Sequence, residues 1–170
     1  MKSLDIEFLH NIPLFTGLSR EKLEKVRAIT SLRTFDAGAF IVKENEKGDE
    51  MFILLDGEVE VSRTLLLKIS GHGMDQKDKL LNKLTGHDHT FFGEMSLFDD
   101  NSERTASVIA VTKCTTAVLE RNSFFLLSET DKEIGYTILK NILKIVSERL
   151  SKTTKDVLKL TTALSLALER

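Results

Sequence analysis

Apolar positions change their period twice along this chain. Leu4, Phe8, Leu9 and Ile12 fall near helical spacing, and Pro13 ends the run. Ser19 has the chemistry of an N-cap, and Leu23, Val26 and Ile29 give the next segment one apolar face. From Leu32 the period shortens. Leu32, Thr34 and Phe35, then Phe40, Ile41 and Val42, then residues 51–55 and 58–61 form short β runs. Turn residues separate them at Asp36-Ala37-Gly38, Lys47-Gly48-Asp49 and Asp56-Gly57, the last a hairpin signal. Residues 64–69 extend a strand. Gly71-His72-Gly73 and residues 75–79 predict an exposed loop, and residues 80–84 a returning strand. Residues 104–111 and 115–119 are two more strands.

The period becomes helical again from Arg121. Asn122 or Ser123 caps a short helix carrying Phe124, Phe125 and Leu127. A longer pattern starts near Asp131. Tyr136, Leu143, Leu150, Val157 and Leu164 sit seven apart, and Leu139, Val146, Thr153, Leu160 and Ala167 fill the second seam position. This predicts one helix to about Glu169, or two helices broken near residues 151–154. Unbroken, it would be roughly 58 Å long, more than one small barrel covers. A parallel homodimer is the simplest partner for it, while the Ile134, Ile138, Ile142, Ile145 stripe packs on the chain's own barrel.

Strands this short with turns this frequent predict an α+β fold. Its parts are an antiparallel β jelly-roll barrel, N-terminal helices and a long C-terminal helix. The predicted division is residues 1–130 for the barrel with its flanking helices, and 131–170 for a capping, dimerising, coiled-coil-like tail.

Composition narrows the function classes. The 170 residues carry 41% hydrophobic and 29% charged side chains and a net charge of −2, so bulk electrostatics does not favour nucleic acid. One cysteine, Cys114, excludes an internal disulfide framework. The opening residues lack a signal peptide's pattern and no apolar run approaches a membrane span, so a cytoplasmic, non-membrane protein is expected.

The stretch from Phe91 to Val108 has the chemistry of an anion cradle. Gly93 lets backbone approach a ligand closely. Residues 94–98 can form one helical turn with free N–H groups, and Asp99-Asp100-Asn101-Ser102 is a turn cluster in which Asn101 tolerates a left-handed conformation. Arg104 then presents a planar fork of donors. A phosphate suits the amides and Arg104; a sugar hydroxyl suits the Glu94 carboxylate.

Together these features resemble the cyclic nucleotide-binding domain family from about Asn11 to Leu150. The matching parts are Ile12-Pro13-Leu14-Phe15 with Leu18, Gly48-Asp49-Glu50-Met51-Phe52-Ile53, Asp56-Gly57, Phe92-Gly93-Glu94, and Arg104-Thr105-Ala106-Ser107-Val108. The cassette looks most like the catabolite activator type; kinase regulatory domains usually have a proline where Glu103 stands. The resemblance implies a jelly roll that binds cAMP or cGMP, without a further cofactor, metal or catalytic residue. It implies that Arg104 pairs with the cyclic phosphate, joined by backbone N–H groups of Met95, Ser96 and Thr105. Glu94 takes the ribose 2′-OH, with Gly93 shaping the approach. The helix matching residues 136–150 caps the base, and Leu97 is a hinge against the short helix around Phe124. Thr105 also occurs in members that accept cGMP, leaving the purine open.

Two departures stand out. The span between Gly57 and Gly93 is longer than the catabolite activator pattern, with Gly86-His87-Asp88-His89-Thr90 before the cassette. The 20 residues after Leu150 are too few for a helix-turn-helix domain, so no DNA-binding domain is expected, and the downstream partner is not encoded in any motif.

Plainer readings exist for each residue. Arg104 suits a surface ion pair with Asp99, Asp100 or Glu103, Glu94 a first-turn helix acid, Thr105 an ordinary strand residue, and Cys114 a small buried one. His87, Asp88, His89 and Glu94 resemble the first metal motif of cupins, which makes a metal-dependent enzyme one alternative. A coiled-coil interaction protein with a degenerate ligand site is the other.

Overall fold

The computed structural model describes residues 4–68, 74–88, 90–98 and 103–168. Asp5 caps α1 (Ile6–His10) by accepting from the Glu7 N–H at 3.4 Å. Pro13 opens a 3-10 helix, Pro13–Phe15, where its missing N–H costs nothing. Ser19 Oγ accepts from the Lys22 N–H at 3.4 Å and starts α2 (Arg20–Ala28), as its sequence predicts. Leu23 and Val26 of that helix are fully buried.

Among the described residues, eight antiparallel strands then build two four-stranded sheets. β1 (Thr30–Phe35), β8 (Cys114–Glu120), β3 (Glu50–Asp56) and β6 (Phe91–Phe92) form one, in the order β1-β8-β3-β6. β2 (Phe40–Val42), β7 (Ser107–Ala110), β4 (Glu58–Lys68) and β5 (Met74–Thr85) form the other, in the order β2-β7-β4-β5. This is the expected jelly roll. The central strands of the first sheet, β3 and β8, are buried on both faces, which explains the unbroken apolar run in β3. Met51 and Ile53 join Leu9, Leu23, Leu119 and Phe124 on the helix side, while Phe52 and Leu54 join Val59, Phe92 and Val108 inside the barrel.

Two sequence expectations fail here. Asp56-Gly57 is not a hairpin: β3 and β4 lie in different sheets, and the chain turns a corner between them. The backbone groups a hairpin would pair internally go elsewhere. The Gly57 carbonyl accepts from the Gly86 N–H at 2.9 Å, and the Glu58 N–H donates to Thr112 Oγ1 at 3.0 Å. Residues 75–79 are also not a loop. β4 and β5 stay paired from Glu58↔Thr85 to Lys68↔Met74, whereas β7 covers only Val59–Ser62 of β4. The extra length before the cassette therefore extends a two-stranded ribbon beyond the sheet. The Gly71-His72-Gly73 turn lies outside the described residues.

α3 (Arg121–Thr130) begins one residue before the expected caps. Glu120 is its N-cap residue, and the Arg121 N–H is already taken by the Asp49 carbonyl at 2.8 Å. Asp131 then caps α4 (Lys132–Leu168) by accepting from the Ile134 N–H at 3.4 Å. α4 is a single unbroken helix of 37 residues, with no break at residues 151–154. Ile134, Ile138 and Ile142 are buried against the 3-10 helix and α3, and Asn141 Nδ2 donates to the Leu14 and Thr16 carbonyls, both at 2.9 Å. From Leu150 to Leu168 every residue is exposed. Among the described residues no helix is long and apolar enough to cross a membrane.

Candidate functional site

A cavity of about 820 Å³ opens between the second sheet, the cassette and α4. Gly93, Glu94, Met95, Ser96, Arg104 and Thr105, the six residues singled out in the sequence, all line it. Val42, Val61, Leu84, Phe92 and Val108 supply an apolar wall.

Gly93 takes φ +77° and starts a 3-10 turn, Glu94–Leu97, one residue shorter than predicted. A side chain at Gly93 would be strained by that φ and would press on the Glu50 carbonyl and Arg104 Nη1. The first N–H groups of the turn, on Glu94 and Met95, have no acceptor within it. The Ser96 N–H differs from expectation: it donates to the Gly93 carbonyl at 3.3 Å. Met95 and Thr105 are exposed, while Leu97 is buried in the cluster that holds Phe124, Ile134 and Ile138. Asn101 and the rest of the turn cluster lie outside the described residues.

Arg104 does not open a strand as its sequence context predicts; β7 starts at Ser107. Its backbone instead pairs with the loop after β2. The Arg104 N–H donates to the Glu46 carbonyl at 2.9 Å, and the Asn45 N–H donates to the Arg104 carbonyl at 2.9 Å. This tie holds the guanidinium over the Phe52 ring, 5.9 Å from its centre, and against Gly48. Nη1 donates to Ser96 Oγ and approaches the Gly93 carbonyl at 3.4 Å. Among the described residues no carboxylate oxygen forms an ion pair with it. Burial pulls its pKa below the ordinary guanidinium value, opposed by Glu50 and Asp49. Glu50 itself is taken by the Arg33 fork, Nη1 to Oε2 at 2.8 Å. The result is a half-buried cation that, among the described residues, only neutral acceptors hold.

Glu94 is reached from α4. Arg149 Nη1 lies 3.5 Å from Glu94 Oε1, and Arg149 Nη2 donates to Thr90 Oγ1 at 3.0 Å and to the Phe91 carbonyl at 2.9 Å. The resemblance implies a cap from residues 136–150, yet only Arg149 of that segment borders the cavity. Lys152, Thr153 and Asp156, further along the helix, continue its wall. These four were missed in the sequence. Their spacing of three, four and seven was legible as one polar helical face, but the apolar heptad overshadowed it. Arg121, whose Nε donates to the Ser96 carbonyl at 2.9 Å, left no local signal. As for the cupin alternative, His87 is exposed, while His89 and the Asp88 side chain lie outside the described residues.

Comparison with known proteins matches this arrangement. The profile of the cyclic nucleotide-binding domain covers residues 32–131. Human cGMP-dependent protein kinase 2 is 30% identical over 165 residues, covering 94% of this chain and 20% of the kinase; this chain thus spans about a fifth of that relative. The catabolite activator protein of Thermus thermophilus superposes with a TM-score of 0.70 at 25% identity, over 88% of this chain and 63% of that one. The regulatory domain of Toxoplasma gondii PKA in complex with cAMP gives 0.64 at 26%, over 86% and 48%. With the jelly roll, the cassette and the profile in agreement, this chain belongs to the cyclic nucleotide-binding domain family.

Proposed function

We propose that this chain is a regulatory receptor, not an enzyme, that takes cAMP or cGMP into the cavity and relays binding through α3 and α4. The observation that carries this reading is the Arg104 guanidinium, half-buried and, among the described residues, held only by neutral acceptors beside a large cavity. A cyclic phosphate supplies the missing charge, aided by N–H groups of Met95 and Thr105. Glu94 takes the ribose 2′-OH. Arg149 engages only its Oε1, so Oε2 keeps an acceptor without a partner among the described residues. Gly93 permits the close approach, the apolar wall with Arg149, Lys152 and Thr153 encloses the base, and Leu97 acts as the hinge. The kinship to a cGMP-dependent kinase and to a domain crystallised with cAMP supports the ligand class and leaves the purine to experiment.

Relay requires the nucleotide to bind two helix arrangements with different affinity. The exposed seam of Tyr136, Leu143, Leu150, Val157 and Leu164 supports a homodimer joined along α4. Isothermal titration of the whole chain with cAMP and with cGMP tests the reading. Heat of binding is expected with one or both. Arg104→Ala removes the desolvated charge pair and should cost about 2–5 kcal/mol of affinity; Glu94→Ala should weaken binding less. Absence of heat with both nucleotides sinks the proposal.

A further inference from the structure

We propose that Ser96 is a positioning residue that sets where Arg104 presents its guanidinium and couples it to the first turn of α3. The proposal rests on the reading of Arg104 as the anion ligand. Ser96 is 2% exposed and meets Arg104 and Arg121 from opposite ends. Its hydroxyl has one proton and two lone pairs. The proton goes to the Gly93 carbonyl at 2.6 Å, with the Glu50 carbonyl further away at 3.4 Å. A lone pair is left to accept from Arg104 Nη1. Because the hydroxyl is neutral, it orients the guanidinium without discharging it. A carboxylate in its place would compete with the ligand for the same cation.

The main chain of Ser96 faces the other way. Its carbonyl accepts from Arg121 Nε at 2.9 Å and from Arg121 Nη2. Arg121 is the first residue of α3, and its own N–H is fixed to the Asp49 carbonyl at 2.8 Å, one residue from the Gly48 on which Arg104 packs. Ser96 Oγ is pinned to the Gly93 carbonyl at 2.6 Å, at the head of the same four-residue turn, so a pull on the hydroxyl acts on the turn and not on the rotamer alone. An anion that draws Arg104 toward itself therefore pulls on Ser96 Oγ, and the displacement reaches α3 through the Ser96 carbonyl. The next residue, Leu97, shares a core cluster with Phe124 of α3 and carries the same movement.

The test is hydrogen exchange at the amides of residues 121–130 in the whole chain, as wild type, Ser96→Ala, Arg104→Ala and the double variant. Without ligand, Arg104→Ala should speed exchange at the start of α3 when Ser96 is present and change it little on the Ser96→Ala background. With saturating cAMP or cGMP, wild type should shift its exchange in α3. Ser96→Ala should still bind within about tenfold of wild type while its α3 exchange stays put. Additive effects of the two substitutions, or a full α3 response in Ser96→Ala, overturn the proposal. If wild type takes up no nucleotide, the ligand reading falls, and the ligand-free comparison still decides the coupling. Should Ser96→Ala not fold, Ser96→Cys, which keeps the volume but accepts weakly, replaces it and should show the same split.

Discussion

Arg149 Nη1 stands 3.5 Å from Glu94 Oε1, joining the long C-terminal helix to the acid of the cassette across 55 positions of sequence. The pair is uneven, with the Arg149 side chain 39% exposed and that of Glu94 17%. Solvent screening limits such an ion pair to about 1 kcal/mol or less. The rest of the anchor comes from the bonds to Thr90 Oγ1 and the Phe91 carbonyl and from the guanidinium over the Phe91 ring, 4.6 Å from its centre.

Removing that anchor should free the distal helix. Beyond Arg149 every described residue of α4 is exposed, so nothing further along holds it to its own barrel. Arg149→Ala is expected to cost about 1–2 kcal/mol in urea unfolding and to weaken nucleotide binding. Exchange at residues 150–168 in a mass-spectrometric experiment should rise. Unchanged exchange there would show that Arg149 is not the last tether.

Gly48 guards the reach of Arg104. A Cβ there would press on Arg104 Nη2 and Nε, and Gly48 has no left-handed φ. Alanine at 48 can therefore displace the flexible guanidinium without straining the backbone. Gly48→Ala should lower nucleotide affinity by about tenfold or more with a Tm within about 4 °C of wild type. Gly93→Ala should lose both affinity and stability, since φ +77° adds backbone strain of roughly 1–2 kcal/mol. Calorimetric scans and titrations of the pair separate the two effects.

The α2–α4 junction should respond to acid. Asp131 accepts from Lys25 Nζ at 2.9 Å and Lys22 Nζ at 3.3 Å, and these bonds hold its carboxyl down to about 2 from an ordinary 3.8. A carboxylate whose pKa is lowered on folding stabilises the fold fully above the unfolded value and loses that contribution as pH falls through the folded one. Tm should thus drop between pH 4 and 2 in wild type. In Asp131→Asn it should start lower at pH 7 and fall less over that window.

The proposed seam makes a prediction about mass. Leu150 and Leu164 are exposed on one stripe of α4. Leu150→Lys with Leu164→Lys should yield a monomer in sedimentation equilibrium if the wild type is a dimer through this helix. Far-UV circular dichroism should be nearly unchanged, because neither side chain is buried in the chain's own core. A double variant of wild-type mass would move the interface elsewhere.

Much of the candidate site was legible because its chemistry is local. Gly93, Glu94 and Arg104 mark a candidate cradle by residue type and order, and all six candidate residues border one cavity. The Ser19 cap, the short strands and the isoleucine stripe of α4 were legible for the same reason. The failures share a cause too. The Asp56-Gly57 corner, the β4–β5 ribbon and the placement of Arg104 outside β7 each depend on which distant backbone group takes a given N–H or carbonyl.

By itself, then, the sequence determined most of the helices and short strands, the one stretch that carries the candidate site residues, and which stripe of the last helix is apolar. Those properties follow from side-chain periodicity and from residues acting on near neighbours. Only the tertiary structure decided that Asn45 and Glu46 hold the Arg104 backbone, that Ser96 links Arg104 to Arg121, and that Arg149 reaches Glu94. These partners are far apart in the chain. A polar group buried by packing must find whichever complementary group the fold brings within about 3 Å of it.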